Sequence, residues 1–262
     1  MPKPEPVLSD ASIPERGIGK IDPTAEPPAP GSVLTISAHP DDQEFTIAGT
    51  LAKWARAGSR IVTVCITSGD SGSNDPACDG SCKPELARLR ESEQLAAGRE
   101  IGVAETVFLH YPDGELLPTL ALRKDLARLI RRYKPEAVVC GDPTARFYGN
   151  SYANHPDHRA AADAAVDAVF PTAGTRLIFP DFLQDGYEPH NVRRLYMHGS
   201  EKPDVWVDTS ATIDVKIRAL RCHKSQVGEG EDLERMIREW AEEEGRARGL
   251  RYAEAYRLIV FD

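Results

Sequence analysis

The feature that most constrains this chain is an alternation. Short apolar, β-branched runs are followed by segments of helical periodicity, and the pair recurs four times between Ser32 and Phe170. Val33 to Ser37 reads as a buried strand, and Ile47 to Ala57, with Leu51, Trp54 and Ala55 on one face, as a helix ended by Gly58. Arg60 to Thr67 is a second strand, Gly69 to Pro84 a long polar loop, and Glu85 to Ile101 a charged helix stopped at Gly102. Thr106 to Leu109 and Ala137 to Cys140 are strands on either side of an amphipathic helix, Leu120 to Tyr133. Pro156 to Phe170 is an alanine-rich helix. Such an order predicts an α/β fold built from right-handed βαβ units, with a mostly parallel sheet covered by helices on both faces. In that architecture, sites form where loops leave the carboxyl ends of strands.

The remainder is less regular. Val205 to Val207 and Tyr256 to Phe261 read as strands, Ala211 to Cys222 and Asp232 to Arg248 as helices. The first 30 residues hold 8 of the 20 prolines, so positions 1–30 read as an extended arm preceding one α/β domain over 31–262. No run approaches the ~18 apolar residues of a membrane span. With 41 acids against 32 bases and a net charge of −9, a nucleic-acid backbone is not the expected partner. An odd count of five cysteines and an N-terminus without an apolar core segment fit a cytoplasmic protein. Cys65 and Cys140 fall in strands as core thiols. Cys78 and Cys82, in a polar CDGSC loop, lack the second ligand pair that structural zinc needs and are expected to have no metal role. The acidic run from Glu231 to Glu244 reads as a solvated helix face. Its alternative is a homo-oligomer contact through Met236, Ile237 and Trp240.

Two segments carry chemistry. His39-Pro40-Asp41-Asp42 directly follows the first strand, where a dinucleotide fold would carry a glycine-rich phosphate loop instead. His155-Pro156-Asp157-His158 opens the alanine-rich helix, with Pro156 suited to its first position and both histidines able to look at one point. Imidazole and carboxylate suit zinc, and iron also accepts them. Three protein ligands leave a position for water, the catalytic rather than the structural arrangement. A second carboxylate could then take the water proton and a second histidine stabilise the oxyanion. His39 and Asp42 share the first turn. Asp41, and one of His155 and His158, remain for the other tasks. Either segment alone is ordinary turn or cap chemistry. Together, at two strand ends, they point to amide or ester hydrolysis.

These residues carry a resemblance. Ser37-Ala38-His39-Pro40-Asp41-Asp42-Gln43-Glu44, followed by Ala48-Gly49-Thr50, resembles the signature of the PIG-L/LmbE-like N-acetylglucosaminyl deacetylases, and His155-Pro156-Asp157-His158 is similar to their H-x-D-H motif. Arg90-Glu91-Ser92-Glu93 and the late segment Leu220 to Gln226 are similar to further family segments. Gln43 stands where the family's AHPDDE motif has its acid, with Glu44 following.

The resemblance implies a Rossmann-like fold and a zinc-dependent hydrolase that removes the acetyl group from an N-acetylglucosamine-type conjugate. It implies His39, Asp42 and His158 as metal ligands and Asp41 as general base. His155 would stabilise the tetrahedral intermediate or protonate the leaving amine, and Asp157 would orient His155. Arg90, Asp113 and Tyr152 are expected to meet the small-molecule amino-sugar substrate, with Arg146 and Tyr148 nearby. His223 is expected to hold the late helix, and His110, His190 and His198 have no assigned role. Two rival readings are an amidase on a larger sugar-thiol conjugate and a non-catalytic binding protein on the same fold.

Overall fold

The computed structural model describes residues 26–227 and 231–261. Among these, seven strands form one sheet: β1 (Ser32–Ser37), β2 (Arg60–Thr67), β3 (Glu105–Tyr111), β4 (Ala137–Gly141), then β7 (Arg194–His198), β8 (Val205–Asp208) and β9 (Ala253–Val260). A two-stranded hairpin, β5 (Phe147–Tyr148) and β6 (Tyr152–Ala153), lies apart from it. The sheet order is β3-β2-β1-β4-β7-β9-β8. The first five strands in that order run parallel, and β9 pairs antiparallel with both β7 and β8. The chain leaves β1 toward β2 on one side and returns to β4 on the other. That reversal opens a crevice at the carboxyl ends of β1 and β4.

Alternation along the strands feeds two cores. Leu34, Ile36, Val62, Val64 and Val138 pack against α4 (Leu120–Tyr133) and α5 (Pro156–Asp167). Val33, Ile61 and Val139 face the opposite way, against Leu51 and Trp54 of α2 (Ala48–Arg56) and Ala97 and Ile101 of α3 (Lys83–Ile101). Val215 and Ala219 of α7 (Ile213–Leu220) complete that layer. Parallel strands buried on both faces explain why their sequences read as nearly continuous apolar runs.

Several elements depart from expectation. A five-residue helix, α1 (Asp42–Thr46), follows the first motif where a turn was expected. Strand β7 was not expected; its buried run is Leu195, Tyr196 and Met197, between Arg194 and His198. A short α6 (Asp181–Gln184) precedes it. Most of the proline-rich arm expected over 1–30 falls outside the described residues. Within the part described, Glu26 pairs with Lys53 at 2.6 Å and Pro28 accepts from Arg194 at 2.7 Å. Cys78 and Cys82 are joined as a disulfide, and Cys65 and Cys140 are buried in the sheet. In α8 (Glu231–Arg246), Ile237 is buried against α7 and Tyr252 within this chain, and Trp240 is half exposed.

One carboxylate ties the last strand to the motif-bearing end. Glu254 of β9 accepts from Gly49 N at 3.0 Å and Thr50 N at 2.7 Å, at the start of α2, and pairs with Lys216 at 2.7 Å. An anion at a helix N-terminus satisfies donors that have no partner within the helix.

Candidate metal and active site

The two motifs meet at the crevice. His39 leaves the end of β1, and Asp42 begins α1, its Oδ2 accepting the His39 backbone N–H at 2.9 Å. His155 is the N-cap of α5, accepting Asp157 N–H on Nδ1 at 3.2 Å, and His158 lies in the first turn. The rings of His39, His155 and His158 have centroids 5.1–5.3 Å apart.

Donor atoms gather in two places around His39. On its Nδ1 side, His158 Nε2 is 3.2 Å away and Asp42 Oδ2 3.7 Å, while His158 Nε2 is 3.0 Å from Asp42 Oδ1. On its Nε2 side, Asp113 Oδ1 lies at 3.0 Å and Asp157 Oδ2 at 3.3 Å. The donor atoms of His39, His155 and His158, and those of His39, Asp113 and Asp157, each fall within 4.8 Å of one another. Ligands ~2.0–2.1 Å from a tetrahedral cation sit roughly 3.3 Å from each other. The separations among His39, Asp42 and His158 bracket that value, so the residues fit a bound zinc. The Nε2 side fits a different task. Asp157 is already held by Gly114 N at 2.8 Å and Leu116 N at 3.3 Å, and Asp113 Oδ2 by Ser71 N at 2.7 Å. Anchored carboxylates of this kind take the N–H of a ligating imidazole and leave its other nitrogen for the metal.

This arrangement revises one expectation. Asp157 was assigned to His155, but its carboxylate meets His39, and only its backbone N–H reaches the His155 ring. The cause is local. Capping the helix turns the His155 ring onto the backbone of the first turn, while the Asp157 side chain turns inward toward the loop after β3.

Charge follows the same geometry. Burial opposes the His39 imidazolium, but hydrogen bonds to Asp113, Asp157 and Asp42 outweigh it and raise the pKa to about 12. Burial likewise opposes a charged His158, and Asp42 raises it. Burial and the neighbouring His39 and His158 lower His155. A pocket that stabilises positive charge at His39 and His158 is one suited to a dication.

Asp41 occupies the turn between His39 and Asp42. Its backbone has φ 90°, a conformation that costs a non-glycine residue about 1–3 kcal/mol. Arg90 of α3 donates from Nη2 to Asp41 Oδ2 at 3.0 Å and to Pro40 O at 2.7 Å, and from Nη1 to Gly69 O at 2.8 Å. Burial and the Asp42 charge push the Asp41 carboxyl up to about 7, against the pull of Arg90. A carboxyl near neutrality can both accept and return a proton.

The three residues expected to meet substrate are placed differently from one another. Arg90 is 4% exposed, with both Nη groups bound to protein and, among the described residues, no partner for the buried Nε. Asp113 is buried beside His39. Tyr152 is exposed in the β5–β6 hairpin, its ring 6.0 Å from that of Tyr148. His110 sits beside Ser68 and Glu91, and His190 contacts the Pro135 carbonyl. Gln94 of α3 is a further residue at this turn. Its Oε1 accepts Asp41 N–H at 2.9 Å, and its position one helical turn after Arg90 was the available signal.

The chain is similar to known proteins over most of its length. Residues 34–169 match the family described as PIG-L, GlcNAc-PI de-N-acetylase. The chain is 34% identical over 229 residues to a diacetylchitobiose deacetylase of Thermococcus kodakarensis, covering 87% of this chain and 82% of that protein. It is 28% identical over 243 residues to a 1D-myo-inositol 2-acetamido-2-deoxy-alpha-D-glucopyranoside deacetylase of Rhodococcus erythropolis, covering 74% of this chain and 81% of that one. Among solved structures, an N,N'-diacetylchitobiose deacetylase of Pyrococcus horikoshii superposes with a TM-score of 0.80 at 30% identity, over 88% of this chain and 84% of that one.

Proposed function

The chain belongs to the PIG-L family of de-N-acetylases, and from that premise we propose that it is a metal-dependent hydrolase releasing acetate from an N-acetylglucosamine-type conjugate. The observation that carries this reading is the convergence of His39, Asp42 and His158 donor atoms at 3.0–3.7 Å, with Asp41 beside them.

His39 Nδ1, His158 Nε2 and the Asp42 carboxylate would hold the ion, zinc by ligand type. A bound zinc lowers the pKa of a coordinated water and polarises the amide carbonyl. Asp41 takes the proton of the attacking water, its carboxylate held in place by Arg90. His155, with Nδ1 committed to the backbone, keeps Nε2 for the tetrahedral oxyanion or the leaving amine. Asp113 and Asp157 fix the His39 ring and its tautomer. Asp113 also retains lone pairs for a sugar hydroxyl and Tyr152 offers an exposed ring, while Arg90, with both Nη groups on protein and Nε buried, acts on Asp41 rather than on substrate. Conjugates of N-acetylglucosamine are the substrate class, as in the names of the similar proteins.

The test is His39→Ala. The purified variant is expected to lose bound metal and N-acetylglucosaminide hydrolysis together. Retention of both would overturn the assignment. Among the described residues no helix is long and apolar enough to cross a membrane.

A further inference from the structure

We propose that Gln94, oriented by the buried Glu44, is a positioning residue that holds the Pro40–Asp41 peptide and thereby aims the Asp41 carboxylate. The inference rests on the reading of Asp41 as the base.

The geometry is that of a clamp on one peptide unit. Its carbonyl, Pro40 O, accepts from Arg90 Nη2 at 2.7 Å, and its amide, Asp41 N, donates to Gln94 Oε1 at 2.9 Å. Arg90 and Gln94 are four residues apart, on the same face of α3. A flip of this peptide would break both bonds at once, so the helix fixes the positive-φ turn that carries the base.

The direction of the Gln94 amide is not arbitrary. Its Nε2 donates to Glu44 Oε1 at 2.9 Å, where Gln43 Nε2 also donates at 3.1 Å. Gln43 is oriented in turn by Thr35 Oγ1, which donates to its Oε1 at 3.0 Å. A carboxylate accepts only, so Glu44 forces both amides to present nitrogen toward it. Gln94 must then present oxygen to Asp41. Reversing the amide would set Nε2 against the Asp41 N–H and Oε1 against Glu44.

Behind Glu44 stands His223. Both residues are fully buried, with His223 Nε2 3.4 Å from Glu44 Oε2. Among the described residues, Glu44 Oε2 and both His223 ring nitrogens have no hydrogen-bond partner. Removing such groups from water is costly, and the contact is too loose to be a strong hydrogen bond. The bond that orients Gln94 is to the other oxygen, Glu44 Oε1. The segment bearing His223 is fastened to α3 as well. Ser225 donates from N and Oγ to Glu93 at 2.8 and 2.6 Å, and Gln226 Nε2 reaches Gly72 O at 3.2 Å. The late segment therefore packs behind Glu44 and against α3.

The experiment is a double-mutant cycle on the metal-loaded enzyme. Gln94→Met keeps the volume and removes both amide bonds. Turnover is expected to fall about tenfold to a hundredfold, with KM and metal content unchanged. In an Asp41→Asn background, measured at high enzyme concentration, Gln94→Met should cost nothing further. Should Gln94→Met fail to accumulate, Glu44→Gln gives the same comparison. It keeps an acceptor oxygen but removes the charge, and a loss of a few-fold confined to the Asp41 background is expected. Equal loss in both backgrounds, or no loss in either, overturns the positioning role alone. Wild-type turnover in Asp41→Asn itself defeats the base assignment, and the inference with it.

Discussion

His39 Nε2 lies 3.3 Å from Asp157 Oδ2, so in the proposed site the opposite ring nitrogen, Nδ1, is the one open to a cation. With Asp113 on the same nitrogen at 3.0 Å, the ring donates there and leaves Nδ1 for His158 and Asp42. Asp157→Ala should therefore retain the three ligands yet bind zinc about 10–100-fold more weakly. Competition against a chromophoric chelator measures this. Unchanged affinity would place the metal elsewhere.

Asp41 and Asp42 are neighbours with different expected roles. Asp41→Asn should keep full metal occupancy and lose about 10²–10⁴-fold in turnover. Loss of metal in this variant would show that base and ligand had been interchanged. Elemental analysis and initial rates on the same preparation separate the two.

Gly69 has φ 66°, and a Cβ built there would collide with the Arg90 guanidinium. Gly69→Ala therefore carries both a backbone and a steric penalty, of at least about 1 kcal/mol. Because Arg90 holds Asp41, activity should fall along with the unfolding midpoint. A variant with wild-type stability and turnover would mean that Arg90 has room to move without consequence.

His198, at the end of β7, is lowered to about 4 by burial, with smaller opposing and reinforcing effects from surrounding charges. Its folded-state pKa lies below the unfolded value of 6.5, so the unfolded chain binds the extra proton between those values. Its contribution is fully present above pH 6.5 and is lost as pH falls toward 4. Urea unfolding across that window should show a smaller pH slope for His198→Gln than for the wild type.

The fold was legible where burial is two-sided. The strands β1, β2 and β4, each an apolar run with a helix after it, could be read directly. Strand β7 was not, since only a four-residue helix precedes it and its neighbours come from distant parts of the chain. At the site, residue type and spacing brought out His39, Asp42, His155 and His158. The partner of Asp157 was hidden, because the choice between His155 and His39 depends on where the loop after β3 lies. Gln94 was hidden for a similar reason. A glutamine on a charged helix is unremarkable until its amide is seen against Asp41.

The central claim is that these groups, with a bound divalent metal, cleave an N-acetyl amide. The most direct measurement follows acetate and free amine released from N,N'-diacetylchitobiose by the purified protein, before chelation, after it, and after zinc is restored. Equimolar acetate and amine that vanish with the chelator and return with zinc are expected. Release that is indifferent to the chelator, or none from any N-acetylglucosamine conjugate by the zinc-loaded protein, would contradict it.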